Sequence, residues 1–191
     1  EHVSVRRVTA VLMAWVLAFG LAFVCSAKLQ PSEDSYVVTF FARQAAKGDF
    51  SYYKEYFTFF PYQFGFVLYE EIVFRLFNAV LPNAPEGFSA LALQGLNVIY
   101  LAVSYAAVIA CAGRGTRNAD VQKITAVLLL FFLPGVLSVT YMYGTIPGFM
   151  CAVCAVLAFL RFHEGGRITD GVLCAVLTAL SVCLKLNCII F

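Results

Sequence analysis

The sequence predicts an all-α protein: a polytopic transmembrane helix bundle of about five spans, with a long outer loop after the first span. Of its 191 residues, 62% are hydrophobic and only 13% are charged, and the mean hydropathy is +0.85. Soluble domains have roughly 45–50% apolar and about 25% charged residues. A net charge of +2 without any basic run argues against a nucleic-acid partner. The expected surroundings are membrane lipids.

The apolar residues fall into runs close to the roughly 20 residues that a membrane span needs. The expected spans are residues 8–27, 88–112, 124–143, 146–162 and 168–190. Segment 62–81 is also apolar and aromatic, but it contains Glu70, Glu71 and Arg75. Each charge at the bilayer centre costs about 2.5–3.5 kcal/mol, so this segment is not expected to cross.

Basic residues near the span ends predict the orientation. If segment 62–81 does not cross, Arg6, Arg7 and the two short basic loops at residues 113–123 and 161–167 share one side. The positive-inside rule assigns that side to the cytoplasm. We therefore expect a multi-pass protein of the cell membrane, with a cytoplasmic N-terminus and residues 28–87 forming one outer loop.

The outer loop is expected to contain helices that lie at the membrane surface. Polar side chains recur every four residues and form one stripe: Ser35, Thr39, Arg43 and Lys47. The other face is apolar, which is typical of an amphipathic helix in the interface. Residues 62–81 would form a second helix, with Arg75 placed to pair with Glu71 one turn earlier. Aromatic residues between 52 and 62 could line a lipid or sugar groove, or form an interfacial belt.

The seven cysteines all lie within or at the edge of apolar runs, where small side chains serve helix packing. Cys151 and Cys154 form a CxxC without a second pair, so zinc or redox chemistry is the alternative. No cofactor is expected, and the sequence does not support a divalent metal. Because the chain starts at Glu1 and stops inside an apolar run, we expect it to be a piece of a larger protein.

Several short motifs follow one another along nearly the whole chain. An acidic residue directly after the first span is followed by "AAKGDFSYY", "YFTFFPYQFGFVLYEE", "YMYGTIPGF" and "LKLN". In this order they resemble the N-terminal part of bacterial GT-C-type glycosyltransferases, the group related to protein mannosyltransferases and the aminoarabinose transferases of lipid A. The resemblance implies an integral membrane enzyme that uses a polyprenyl-phosphate-linked sugar donor at the outer face. The acceptor, a hydroxyl or an amine, is not specified.

The resemblance also implies a catalytic Asp after the first span, which here is Asp34. Sugar transfer needs a base that takes the proton of the acceptor, and a carboxylate can do this. The alternative is structural, because Glu33 and Asp34 in "PSED" are suited to the N-terminus of the following helix.

The departing lipid phosphate needs a cation, and the "LKLN" motif offers Lys185 with Asn187 nearby. Alternatively, Lys185 only extends its ammonium to the outer headgroups. Arg43 is a weaker candidate for substrate binding, since a basic residue on an interfacial helix usually meets headgroups. Glu33 and Tyr143 complete the set of candidate substrate-binding residues.

One position departs from the family pattern. Related enzymes often have an acidic residue in the second outer loop, where this chain has Thr145. This puts a second carboxylate, and any metal ligand there, in doubt. The alternative class is a non-catalytic membrane protein, either a transporter or a scaffold subunit. A transporter would favour matching broken spans in two halves of the chain, and Pro134 and Pro147 do not make such a pair.

Overall fold

The computed structural model describes residues 4–51, 53–83 and 86–186. Within these residues the chain is helical, which confirms the predicted all-α class. The helices are α1 (Val5–Ala27), α2 (Glu33–Ala46), α3 (Tyr53–Phe59), α4 (Phe64–Val80), α5 (Glu86–Thr116), α6 (Ala119–Leu130), α7 (Leu133–Leu137), α8 (Thr145–Gly165) and α9 (Ile168–Leu184). Short 3₁₀ turns occupy Pro61–Gln63 and Ser138–Thr140.

Three to four helices of the described chain are long and apolar enough to span a membrane. Helices α1, α5 and α8 qualify individually. Helix α6 and the segment 133–140 together make a fourth candidate, bent by 55°. The predicted span 124–143 is therefore not one straight helix. Pro134 stands in the first turn of α7, and a proline cannot continue the hydrogen-bond ladder of the preceding helix. Helix α9 is apolar but only 17 residues long.

The basic residues near the span ends gather at one end of the bundle, which we call the basic end. There the last turn of α5 meets the last turn of α8 through an ion pair between Arg114 and Glu164. A cleft lined by Arg6 also contains Ile109, near the end of α5, and Gln122 of α6. The N-terminus of α1 and the two short basic loops therefore share this end.

At the opposite end, α2 and α4 pack against the first half of α5. With 31 residues α5 is about 46 Å long, well beyond the roughly 30 Å of a hydrocarbon core. The first turns of α5 therefore extend past the hydrocarbon core and contribute to an apolar cluster at this end. The cluster contains Val38, Ala42, Phe66, Val67, Phe74, Ala90, Leu93 and Met142. Two buried amides of α5 fix the neighbouring chain. Gln94 Nε2 donates to Leu29 O at 2.8 Å, and Asn97 Nδ2 donates to Val139 O at 3.0 Å.

The first two residues of the polar stripe of α2 are buried inside the protein, which corrects the amphipathic interpretation for Ser35 and Thr39, whereas Lys47 at the other end of the stripe is exposed. Ser35 and Thr39 are only 2% and 1% exposed. The stripe packs on α4, where the Thr39 hydroxyl donates to Glu70 Oε1 at 3.4 Å. The physical reason is that Glu70, buried in a largely apolar helix, needs polar partners. The predicted ion pair is present, with Arg75 Nε 2.8 Å from Glu71 Oε1.

Candidate functional site

Two candidate residues that lie far apart in the sequence act on Tyr143, Lys185 by direct contact and Asp34 by its charge. The ammonium of Lys185 lies 3.6 Å from the centre of the Tyr143 ring. Asp34 lies close enough to act on the same phenol electrostatically. Burial raises the pKa of Tyr143 to about 12, and the neighbouring Tyr62 and Asp34 add to this effect. We call this group the Tyr143 site; it comprises Asp34, Tyr56, Tyr62, Tyr143 and Lys185.

Asp34 is placed by the first turn of α2. Ser32 N–H donates to Ser35 Oγ at 3.1 Å, and the Ser35 hydroxyl donates back to Ser32 O at 2.7 Å. Ser35 therefore does the capping that the sequence left open for Glu33 and Asp34. Glu33 has a φ of 51°, in the left-handed region, where a non-glycine residue costs about 1–3 kcal/mol. Asp34 is exposed, so its carboxylate is accessible to an acceptor.

Tyr143 is held by α4 and by the 3₁₀ turn that precedes it. Gln63, in the 3₁₀ turn before α4, is buried, and its Nε2 donates to the Tyr143 hydroxyl. The Phe66 ring packs at 6.0 Å from the Tyr143 ring. On the other side, Asn97 Nδ2 donates to Tyr141 O at 3.4 Å. The aromatic ring that meets Lys185 is thus fixed by both α4 and α5.

Lys185 is placed by two glycines that let the end of α9 approach other backbone closely. A Cβ at Gly65 would lie 2.2 Å from Cys183 O, and one at Gly144 would lie 1.8 Å from Leu184 O. Ordinary contacts begin near 3.4 Å, so neither glycine can carry a side chain without displacing α9. At Lys185 the backbone becomes extended, and the side chain passes over the tyrosine. A cation over an aromatic face is stabilised by about 0.5–2 kcal/mol.

Aromatic rings form a continuous wall beside Asp34. Tyr56 is its centre, with ring centroids 4.7 Å from Phe41, 5.4 Å from Phe57 and 5.1 Å from Phe60. Burial raises the pKa of Tyr56 to about 12, with a further contribution from the charge of Asp34. Such a surface can stack against the apolar faces of a sugar. Of the aromatic residues predicted between 52 and 62, Tyr56 feels the charge of Asp34, and Tyr52 lies outside the described residues.

Arg43, the weaker candidate for substrate binding, packs against a ring of α4. Its guanidinium carbon is 5.5 Å from the centre of the Phe74 ring, on the face of α2 that packs against α4. Arg43 Nε and Nη2 are buried, and neither atom has a hydrogen-bond partner within the described chain. Burial raises the pKa of Glu70 to about 8, while the Thr39 hydrogen bond and the charge of Arg43 oppose that rise. Arg43 and Glu70 thus interact through charge, without a hydrogen bond or ion pair between them in the described chain.

Several expectations concern metals and cysteines. Among residues 4–51, 53–83 and 86–186, no group of three or more His, Cys, Asp or Glu side chains could hold a metal ion. Thr145 is exposed at the start of α8. The six cysteines in the described ranges are free thiols. Asn187 lies outside the described residues, so its expected proximity to Lys185 stays a prediction.

The sequence contained no structural signal for Gln63, Gly65 and Gly144, although all three lie in the quoted motifs "YFTFFPYQFGFVLYEE" and "YMYGTIPGF". Their role depends on backbone contacts with α9 and on a hydrogen bond that spans 80 residues. No protein-family model matches the chain, and neither the curated proteins nor the solved structures contain a match. Function is therefore inferred from the geometry of the Tyr143 site.

Proposed function

We propose that the protein is an integral membrane glycosyltransferase that moves a sugar from a polyprenyl-phosphate donor to an acceptor hydroxyl or amine at the outer membrane face. The observation that carries the proposal is the contact of the Lys185 ammonium with the Tyr143 ring, together with the electrostatic effect of the Asp34 charge on the same phenol. A carboxylate, an ammonium and an aromatic wall together supply the groups that this reaction requires.

In the proposed reaction, Asp34 accepts the proton of the acceptor as its oxygen or nitrogen attacks the anomeric carbon of the donor sugar. The bond between that carbon and the phosphate oxygen breaks, and its electrons leave with the polyprenyl phosphate. Lys185 stabilises the negative charge of this leaving group. Tyr56 and its aromatic neighbours hold the sugar and keep water from the anomeric carbon.

The proposed orientation puts the basic end in the cytoplasm and the Tyr143 site at the outer surface. In this arrangement α9 is the fifth span. Its 17 residues give about 26 Å, slightly less than a hydrocarbon core, and Lys185 follows at the outer boundary. A lipid-linked phosphate anchored in the outer leaflet would then approach Lys185 from the bilayer, while the acceptor approaches the exposed Asp34 from the aqueous side.

A non-catalytic membrane protein, either a transporter or a scaffold subunit, is the second candidate. The bend of 55° after α6 favours it, because transporters bind substrates where spans are broken. Helices α1, α5 and α8, however, are continuous over the described chain. The bend also lies away from Asp34, in the chain segment that leads from the basic end to the turn before Tyr143.

The test is release of polyprenyl phosphate from a panel of polyprenyl-phosphate-linked sugars. The purified protein is incubated with each donor and with a cell-envelope extract that supplies acceptors. We expect release with at least one donor, and loss of release in Asp34→Asn. Binding of donors without any release would contradict the enzyme and support the second candidate.

A further inference from the structure

The basic end contains a polar cleft that the proposed reaction does not use. It has a volume of about 440 Å³ and is formed by the last turns of α5 and α8 and the first turn of α9. Its lining residues are Arg114, Arg161, Glu164, Gly165, Arg167 and Asp170. We call it the arginine cleft.

The arginine cleft has uncompensated positive charge. Arg114 is neutralised by its ion pair with Glu164. Arg161 and Arg167 are exposed, and neither forms an ion pair with a described residue. Asp170 is the one further carboxylate among the lining residues, so the cleft keeps a net positive charge.

The whole basic end reinforces this charge. Seven cationic side chains lie there against three carboxylates in the described part of the chain. The cations are Arg6, Arg7, Arg114, Arg117, Lys123, Arg161 and Arg167, and the carboxylates are Asp120, Glu164 and Asp170. An anion that reaches this end therefore meets an attractive field before it meets the cleft.

The position of the cleft indicates which kind of anion it binds. It lies at the very ends of helices whose adjoining turns expose large apolar side chains. Ile168 is 78% exposed, Val172 is 59% exposed and Phe159 is 54% exposed. A soluble anion would use only the arginines, whereas a phospholipid presents a phosphate next to acyl chains and matches both surfaces.

We propose that the arginine cleft binds the phosphate headgroup of an anionic phospholipid in the leaflet at the basic end. Arg161 and Arg167 would hold the phosphate oxygens, since a guanidinium donates two parallel hydrogen bonds to such a group. Basic pockets between transmembrane helices bind anionic headgroups by this principle. The site does not depend on the proposed glycosyltransferase reaction.

The experiment is a lipid titration of the detergent-solubilised protein followed by native mass spectrometry. Phosphatidylglycerol is the anionic probe and phosphatidylcholine the zwitterionic one. We expect phosphatidylglycerol to bind more tightly, and the double variant Arg161→Gln/Arg167→Gln to lose about 30-fold in its affinity. Arg161→Lys/Arg167→Lys keeps the positive charge but cannot donate the two parallel hydrogen bonds of a guanidinium. This variant should lose less affinity for phosphatidylglycerol than the glutamine variant.

The matched control is Arg6→Gln/Arg7→Gln, which removes the same charge from the same end but outside the cleft. We expect it to change phosphatidylglycerol affinity only a few-fold. An equal loss in both double variants would show that net charge alone attracts the lipid and would overturn the cleft. Full displacement of phosphatidylglycerol by equimolar glycerol phosphate would overturn the lipid assignment in favour of a soluble anion. Circular dichroism checks that each variant is folded.

Discussion

Glu70→Gln should remove a large part of the pH dependence of the protein's stability. Glu70 is 1% exposed in α4. Its Oε1 accepts the hydrogen bond from Thr39, and its Oε2 has no hydrogen-bond partner in the described chain. Arg43 faces it from α2. Burial raises the pKa of Glu70 from 4.5 to about 8, so the folded protein keeps this carboxyl protonated at neutral pH.

The raised pKa of Glu70 determines the sign and the size of its contribution to the pH dependence of stability. The folded state holds the proton to a higher pH than the unfolded state, so stability from this group is complete below about pH 4.5. It is lost as the pH rises from 4.5 to about 8. The difference between pKa values of 8 and 4.5 corresponds to on the order of 5 kcal/mol. Glutamine keeps the acceptor for Thr39 but cannot ionise, so the variant avoids this loss.

The assay is thermal unfolding in detergent, followed by circular dichroism, at several pH values between about 4.5 and 8.5. The melting temperature of the wild type should fall with rising pH, and that of Glu70→Gln should fall much less. Glu55→Gln, an exposed carboxyl on α3, is the control and should follow the wild type. A variant at Glu70 whose melting temperature falls as steeply as that of the wild type would refute the reasoning.

Three further predictions concern the site and the topology. Lys185→Ala should weaken donor binding by about 10–100-fold in calorimetry, and Lys185→Arg should retain part of it. Gly144→Ala should also weaken donor binding, because its Cβ, 1.8 Å from Leu184 O, must move about 1.6 Å to reach 3.4 Å. In intact cells an impermeant thiol reagent should label Asn83→Cys but not Gly115→Cys, above the background of native cysteines.

Each of these has its own contrary result. Unchanged donor affinity in Lys185→Ala would mean that the ammonium only reaches headgroups. Gly87→Ala is the control for Gly144→Ala, since a Cβ at Gly87 meets no atom within 4 Å. If both glycine variants behave alike, close contact with α9 does not place Lys185. The reverse labelling pattern would refute the proposed orientation.

The sequence predicted where most of the apolar helices lie. It could do so because the length of an apolar run and the placement of charges reflect whether lipid or water surrounds a segment. It did not predict the bend after α6 in the expected span 124–143, although Pro134 within an apolar run was a readable signal. The face of α2 was also assigned to the wrong surroundings. Periodicity identifies a polar stripe but does not say whether water or a buried carboxylate meets it, and Glu70 lies 31 residues beyond Thr39.

The sequence indicated candidate residues for the site, but it did not indicate how they are arranged in space. Asp34, Lys185 and Tyr143 were all named, but the placement of Lys185 over Tyr143 depends on the contacts of Gly65 and Gly144 with the end of α9. Such backbone contacts leave no periodic pattern in a sequence. Arg43 belonged to the same polar stripe as Ser35, and only the packing of α2 on α4 directs it away from the site.

The most direct test of the Tyr143 site as a sugar-transfer site is the turnover of Asp34→Asn. Asparagine has nearly the same shape, and Ser35 already caps α2, so folding and membrane insertion should be unchanged. It cannot accept the acceptor's proton, so turnover should fall by about 10²–10⁴-fold. Glu33→Gln, the neighbouring control, should lose far less. Turnover of Asp34→Asn near the wild-type rate, measured as release of polyprenyl phosphate, would contradict the proposed mechanism.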